Sequence, residues 1–479
     1  MKLQRLAELL ARNKGVVLRC DSRQIGPGDI FVALRGSKSD GHDFIEQAIT
    51  KGAKYVVCED GGRSKRQKHQ GSEFIVVEDS AKALAFLAHA GKGNPCSKMI
   101  DLAVTGTNGK TTVAYLVRSI VQTAGRKCGM ISTVSYDTGV KQVDSTLTTP
   151  DAVSIAGMCA EMADSGVEYM ITEASSHALE QDRLWGIRFK GAAFTNLTGD
   201  HLDYHRTEDA YLAAKAKLFE SLLPDSFALL NRGSVVSGKL ADRTEAKVLY
   251  YGIEDGSDIE AGIESMGSGG TVFELSYGGE RERVETALVG RHNVSNHLAA
   301  AGLGLSAGFG LADVAAGLSA LKNVPGRMEP VVCGQGFTVL IDYAHTDDAL
   351  RNVLGTLRPL CKGKLTVVFG CGGDRDKSKR PRMARAAEEL AGKVIVTSDN
   401  PRTEEAGGII EDILRGFSSK DKVVVEADRA RAIEIAIGGA GKDDIVLIAG
   451  KGHETYQIIG ERKIHFSDKQ VAAEVLAGR

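Results

Sequence analysis

The segment Thr105-Gly106-Thr107-Asn108-Gly109-Lys110-Thr111-Thr112 constrains this chain more than any other. It follows an apolar, strand-like run at residues 100–104 and opens a helical pattern that begins at Lys110. A glycine-containing loop between strand and helix can close its backbone N–H groups around phosphates, and the helix N-terminus adds partial positive charge. Lys110 can neutralise phosphoryl oxygens, and the Thr111 hydroxyl can ligate Mg²⁺. Gly106, Thr107, Asn108, Gly109 and Thr112 complete the expected cradle. The standard loop has a glycine at position 104, where this chain has Val104, so the match is to a variant.

At roughly 150 residues per domain, the 479 residues suggest about three domains. In residues 1–96, runs such as Tyr55-Val56-Val57 and Phe74-Ile75-Val76-Val77 alternate with glycine-containing turns, as in a small α/β domain. A helix-like stretch at 80–90 then meets Gly91-Lys92-Gly93-Asn94-Pro95, a linker by its turn residues. Residues 97–325 alternate strand-like runs, at 169–171 and 192–194 among others, with helical patterns, which favours a mostly parallel sheet covered by helices. Asn323-Val324-Pro325-Gly326-Arg327 marks the next boundary. Residues 326–479 carry strand runs at 338–341, 365–369, 394–397, 423–425 and 445–449, a Rossmann-like doubly wound pattern whose ligands gather at the carboxyl ends of the strands.

The 56 glycines fit a chain with many tight ligand-binding turns, and the formal net charge of -2 gives no electrostatic reason to expect nucleic acid or an anionic membrane as partner. The eight cysteines form no C-x-x-C pair, which points to reduced thiols rather than a zinc ribbon or disulfide framework. Residues 1–15 lack the apolar segment of a signal peptide, and no long apolar run follows. The expectation is a cytoplasmic protein without membrane insertion.

A bound triphosphate needs a metal. Glu173 closes one strand-like run, and His201 follows another within Asn196-Leu197-Thr198-Gly199-Asp200-His201-Leu202-Asp203. Strand ends beside a phosphate loop are where ligands belong, although alone either residue reads as a solvated carboxylate or a satisfied loop histidine. In the helical pattern at 207–222, Tyr211, Leu212, Leu218, Phe219 and Leu222 surround Lys215, whereas Ala213, Ala214, Glu220 and Ser221 surround Lys217. Lys215 is then either a snorkelling lysine or a desolvated, reactive one.

In chain order, Asp21-Ser22-Arg23 with Pro27-Gly28-Asp29, the loop at Thr105, Thr148-Thr149-Pro150-Asp151, Glu173-Ala174-Ser175-Ser176-His177, Asp200-His201-Leu202-Asp203, Ala214-Lys215, Gly290-Arg291-His292-Asn293, Pro325-Gly326-Arg327, Asp342-Tyr343-Ala344-His345, Gly372-Gly373-Asp374-Arg375-Asp376, Asp399-Asn400-Pro401-Arg402 and Gly450-Lys451-Gly452-His453-Glu454 resemble motifs of the Mur ligase family. The resemblance spans nearly the whole chain. It implies a UDP-sugar-binding domain at 1–96, a central ATP-binding domain at 97–325 and an amino-acid-binding domain at 326–479. It also implies a ligase that uses ATP and Mg²⁺ to phosphorylate the D-Glu γ-carboxylate of UDP-MurNAc-L-Ala-D-Glu and couples the acyl phosphate to an amino acid in peptidoglycan synthesis. A monomer is expected.

By this resemblance, Lys110 and the loop amides hold phosphates; Thr111, Glu173, His201 and Lys215, the last as a CO₂-derived carbamate, surround Mg²⁺; and Asn293, Arg327 and Asp342 hold ATP. Ser22, Arg23 and His42 are assigned to the uridine end of the first substrate, with Thr148, Thr149, Ser175, Gln181 and Arg183 along its muramoyl-peptide. Asp399, Asn400, Pro401 and Arg402 resemble the diaminopimelate-selecting type, and Arg375, Gly450 and Glu454 complete that site. Arg402 could clamp the far carboxylate of meso-diaminopimelate, which lysine lacks. At Asp347 the family usually has proline. Competing expectations are a lysine-adding relative, folylpolyglutamate synthase, which lacks the first domain, and an ATP-holding scaffold.

Overall fold

The structure is a computed structural model, and it describes residues 2–36, 39–59, 71–199, 202–267 and 269–478. The described strands form three main sheets and one hairpin. The first sheet is parallel, in the order Leu18–Arg19, Ile30–Val32, Tyr55–Cys58, Glu73–Val76. Period-two alternation sends Ile30 and Val32 to one side, under helices Lys2–Arg12 and Ser80–Gly91, and Phe31 to the other, where Ile45 and Ala48 of the helix Ile45–Thr50 cover it.

The central sheet is built around Ile100–Thr105, flanked in parallel by Phe189–Phe194 and Tyr169–Glu173. Leu102 and Val104 face helices Lys110–Thr123 and Arg291–Ser306, while Ala103 faces Ala152–Asp164 and Glu208–Glu220. The helix Leu311–Ala320 packs so closely that a Cβ on Gly317 would come within 2.3 Å of Ile120 Cα. The expected parallel core is present, but it is extended by the hairpin strands Ile259–Gly267, Gly270–Tyr277 and Glu280–Thr286 on one edge, and by Ser135–Asp137 and Gln142–Asp144 on the other. Gly278-Gly279, both with positive φ, turns the last of the first group.

The third sheet runs Glu329–Pro330, Thr338–Asp342, Ile445–Ala449, Leu365–Phe369, Lys393–Val396, Val423–Val425, parallel except for its first strand. Helices cover both faces: Leu365, Val367 and Phe369 pack under Asp347–Leu357 and Lys379–Leu390, and Val368 under Arg429–Gly438 and Asp468–Ala477. The motifs at Tyr343, Gly372, Asp399 and Gly450 therefore all leave the carboxyl edge of one sheet. Among the described residues no helix is long and apolar enough to cross a membrane.

Candidate active site

The phosphate loop leaves the end of Ile100–Thr105, and two of its glycines are required sterically. Gly106 has φ +148° and Gly109 φ +90°; a Cβ would come within 1.9 Å of Thr195 Oγ1 at the first and 2.3 Å of Asn296 Oδ1 at the second. Thr107 N donates to Asn196 O, and Asn108 N to Asn196 Oδ1, both at 2.9 Å. Lys110 Nζ folds back to donate to Gly106 O and Thr107 O, also at 2.9 Å. Thr111 Oγ1 donates to Glu173 Oε2 at 3.1 Å and accepts from Arg327 Nη2 at 3.1 Å. The fully buried Glu173 carboxylate also accepts from Thr133 N and Thr133 Oγ1 at 2.9 Å.

Lys215 and Lys217 separate as helical spacing requires. Lys215 is buried, with its ammonium 4.3 Å from the Tyr211 ring centroid and 2.9 Å from Gly106 O, to which it donates. Lys217 lies on the other side and reaches Glu180 O and the Asp182 carboxylate. His201 lies outside the described residues.

A cavity of about 390 Å³ stands over the loop, lined by Asn108, Lys110, Glu173, Asn293, Arg327 and Asp342. Asp342 accepts from Met328 N and Ala344 N; burial pushes its carboxyl pKa up, against the pull of Arg327. The second and third sheets meet here, where Asn108 Nδ2 donates to Asp348 Oδ2 at 3.0 Å. Asp348 and Asn296 escaped the sequence reading. Asn296, one turn beyond Asn293, donates to it at 3.2 Å, a spacing that could have drawn attention to it.

A second cavity, of about 440 Å³, lies at the carboxyl edge of the third sheet. Arg375, Asp399, Asn400, Arg402, Gly450 and Glu454 all line it. Pro401 does not; it lies against Gly373, whose added Cβ would come within 1.9 Å of Pro401 O. Arg402 adopts φ +51°, and its Nη1 donates to Gly373 O at 2.7 Å. Asn400 Nδ2 donates to Glu454 Oε2 at 3.0 Å. Burial alone would raise the Asp399 pKa, but Lys451 and Arg429 hold it below the usual carboxylate range. Asp347 is the first residue of the helix Asp347–Leu357, capped by Thr346; an acidic side chain is favourable there, and it pairs with Arg382 at 3.1 Å.

Tyr343 and His345 line both cavities. A third cavity, of about 840 Å³, shares Thr133 and Thr148 with the first and Arg375 and Glu454 with the second. Behind its wall, Thr149 Oγ1 donates to Glu173 O at 2.5 Å and accepts from Ser175 N at 3.0 Å. Ser175 caps the helix Ser176–Glu180. Arg183 Nη1 donates to Thr149 O at 2.8 Å and Nη2 to Gln181 Oε1 at 2.6 Å.

Gln181 and Arg183 line a further cleft of about 810 Å³ beside the first sheet, together with Arg35, Ser80 and Tyr204. Ser22, Arg23 and His42 do not line it. Ser22 is buried and donates to Gln47 Oε1 at 2.7 Å; Arg23 is exposed and pairs with Asp21. The His42 ring meets Asp40 Oδ1 at 2.6 Å through Nδ1 and accepts from Glu59 N at 3.0 Å through Nε2. Both ring nitrogens make hydrogen bonds within the first domain.

A phosphate loop facing the carboxyl edge of a doubly wound sheet, behind a separate small parallel domain, is the architecture of a nucleotide-dependent enzyme of several α/β domains. The chain belongs to the Mur ligase family: residues 16–92 match the family's catalytic domain model, 104–304 its middle domain and 326–452 its glutamate ligase domain. It is 44% identical over 471 residues to a UDP-N-acetylmuramoyl-L-alanyl-D-glutamate--2,6-diaminopimelate ligase from Geobacillus thermodenitrificans (strain NG80-2), covering 97% of this chain and 95% of that protein. A solved structure of a ligase of the same name superposes with a TM-score of 0.68 at 32% identity, covering 96% of this chain and 94% of the other. Mycobacterium tuberculosis folylpolyglutamate synthase shares the fold, with a TM-score of 0.66 at 20% identity over 82% of this chain and 95% of the other.

Proposed function

We propose that this enzyme is an ATP-dependent ligase that adds meso-2,6-diaminopimelate to the D-Glu γ-carboxylate of UDP-MurNAc-L-Ala-D-Glu, in cytoplasmic peptidoglycan synthesis. The observation that carries the assignment is the common wall of Tyr343 and His345 between the cavity over the phosphate loop and the cavity around Arg402. Cavities that share lining residues adjoin, so reactants bound in them can be brought to one reacting centre. We assign residues 1–96 to the UDP-sugar, 97–325 to ATP and 326–479 to the amino acid, acting within a monomer.

Lys110 and the amides of Gly106 to Thr112 hold the triphosphate. Asn293, Arg327 and Asp342 hold the nucleotide from the other side. The Thr111 hydroxyl and the buried Glu173 carboxylate are oxygen donors of the kind Mg²⁺ takes, and His201 joins them by family resemblance. Mg²⁺ supplies neutralisation of phosphoryl charge when bound. Lys215, desolvated beside Gly106, is the residue that reacts with CO₂: its neutral amine bonds to carbon, releases a proton and becomes a carboxylate-like carbamate. Thr148, Thr149, Ser175, Gln181 and Arg183 orient the muramoyl-peptide, and Ser22, Arg23 and His42 the uridine end.

The γ-carboxylate attacks the γ-phosphorus, the bond to ADP breaks, and an acyl phosphate results. The neutral amine of diaminopimelate then attacks the acyl carbon, and phosphate departs with the proton that the nitrogen gives up, leaving an amide. Phosphoryl transfer of this kind depends on positioning and charge neutralisation more than on covalent help from the protein. Arg402, with Arg375, Asp399, Asn400, Pro401, Gly450 and Glu454 around it, selects the amine. Phosphate release measured with both other substrates and Mg²⁺ tests the assignment, run with meso-diaminopimelate, with L-lysine and with no amine. Release should be fastest with diaminopimelate. Equal ATP turnover in all three would reject the ligase reading.

A further inference from the structure

Behind the wall of the amine cavity lies a layer of charge sealed from solvent. Lys451 is fully buried and is not part of the cavity lining. Its ammonium donates to Asn400 Oδ1 and Glu454 Oε2, each at 3.1 Å, and stands 3.7 Å from Asp399 Oδ1. All three of those partners do line the cavity. One layer deeper, Arg429 makes a buried bidentate pair with Asp468, both bonds at 2.7 Å, and donates to Ser398 O and Ala449 O at 3.3 and 2.9 Å. Those carbonyls belong to the residues just before Asp399 and Gly450, so the Arg429 guanidinium ties together the two chain segments that carry the wall. Gly450, at φ +116°, leaves no slack between them: a Cβ there would meet Asp399 Oδ2 at 2.6 Å.

We infer that Lys451 is a specificity-determining residue for the incoming amino acid, acting from behind the wall by balancing the charge of Asp399 and Glu454. The inference rests on the ligase reading above. The far end of diaminopimelate carries an ammonium and a carboxylate, whereas that of lysine carries only an ammonium. With Lys451 in place, Asp399 and Glu454 have a cation of their own, and Arg402 and Arg375 remain to receive a carboxylate. Without that charge the two anions of the wall keep behind them only Arg429, itself paired with Asp468, so they stand largely unbalanced at short range in a poorly solvated site, where Coulomb forces are strong. Such a wall repels the extra carboxylate of diaminopimelate and attracts the bare ammonium of lysine. A lysine with a merely structural role would, on removal, weaken both amines alike.

The test is the ratio of kcat/KM for meso-diaminopimelate to that for L-lysine, in the whole enzyme and in Lys451→Gln, which keeps a hydrogen-bond donor and loses the charge. The ratio should fall by at least about tenfold, mostly through the KM for diaminopimelate, while the KM for ATP stays close to that of the parent. Lys451→Arg, which retains the charge, should keep the parent ratio even if turnover drops, and it decides the matter if the glutamine variant fails to fold. An unchanged ratio in Lys451→Gln, or an altered one in Lys451→Arg, overturns the inference while leaving the ligase reading intact. A parent enzyme that turns over neither amine overturns both.

Discussion

The amine cavity and the cleft beside the first sheet are both walled by charged side chains, but they differ in what stands behind those walls. In the cavity, Asn400 and Glu454 are anchored to a lysine with no solvent exposure, and Arg402 to the carbonyl of Gly373. At the cleft, Arg35 pairs with Glu59 at 3.0 Å while its side chain is 60% exposed, and nearby Arg23, 80% exposed, pairs with its near neighbour Asp21. Exposed pairs of this kind contribute little, so ordering such side chains is left to the ligand. A wall fixed by buried partners is ordered before the ligand arrives and loses less entropy on binding. Charge in the cavity should therefore govern selectivity, and charge around the cleft should tune affinity weakly.

The largest effect is expected where anchoring is as complete as in the cavity and the ligand is most highly charged. Lys110→Ala should lower kcat by about 100-fold or more, because the triphosphate loses a cation held ready by two loop carbonyls in a partly buried site. Phosphate release above a tenth of the parent rate would show that the loop works differently. Next comes Lys215→Ala, expected to abolish most turnover, against Lys217→Ala, expected to keep most of it. If Lys215 carries a carbamate, depleting CO₂ should slow the parent enzyme and a short carboxylic acid should partly rescue the alanine variant. Reversed phenotypes for the two lysines would contradict the opposite sides on which they lie.

Those residues were legible because each is tied to a short contiguous pattern. The phosphate loop needs only a strand, two glycines and a helix start, and the place of Lys215 follows from helical period. Asp399 and Gly450 were read from resemblance to the Mur ligases, and parallel strands that deliver their carboxyl ends to one edge explain why the two motifs meet. What escaped was set by tertiary structure. Lys451 lies between two glycines in a turn and looks solvent-facing until the segment at Asp399 closes over it. The strand Glu280–Thr286 opens on four consecutive charged residues, Glu280, Arg281, Glu282 and Arg283, a pattern that also fits an exposed loop. The hydrogen bonds of His42 with Asp40 and with Glu59 N likewise become visible only in the fold.

Arg402→Ala sharpens the comparison within the cavity itself. Removing one partner of a desolvated, charge-assisted pair costs on the order of 2–5 kcal/mol, so diaminopimelate use should fall well over tenfold. Lysine use should change much less. A proportional loss for both amines would mean that Arg402 shapes the cavity without reading the carboxylate.

The smallest effect is expected at Arg23, the most exposed of the charged residues assigned to the sugar nucleotide. Its guanidinium is engaged at 2.9 Å from each oxygen of Asp21, whose carboxyl is held down at about 2, chiefly by the Arg23 side chain. Asp21 also accepts from the Arg23 backbone N–H at 2.9 Å and so caps the short helix Ser22–Gln24. That cap survives truncation of the side chain, and Gln24 Nε2 still reaches Asp21. Arg23→Ala should consequently raise the KM for UDP-MurNAc-L-Ala-D-Glu by less than about threefold. Arg183 is the reference in the same assay: it is half-buried, lines the cleft and donates to Thr149 O, so Arg183→Ala should raise that KM by clearly more. If Arg23 proved the costlier loss, the first substrate would have to draw Arg23 away from Asp21. An exposed pair would then be as decisive at the first domain as buried charge is at the third.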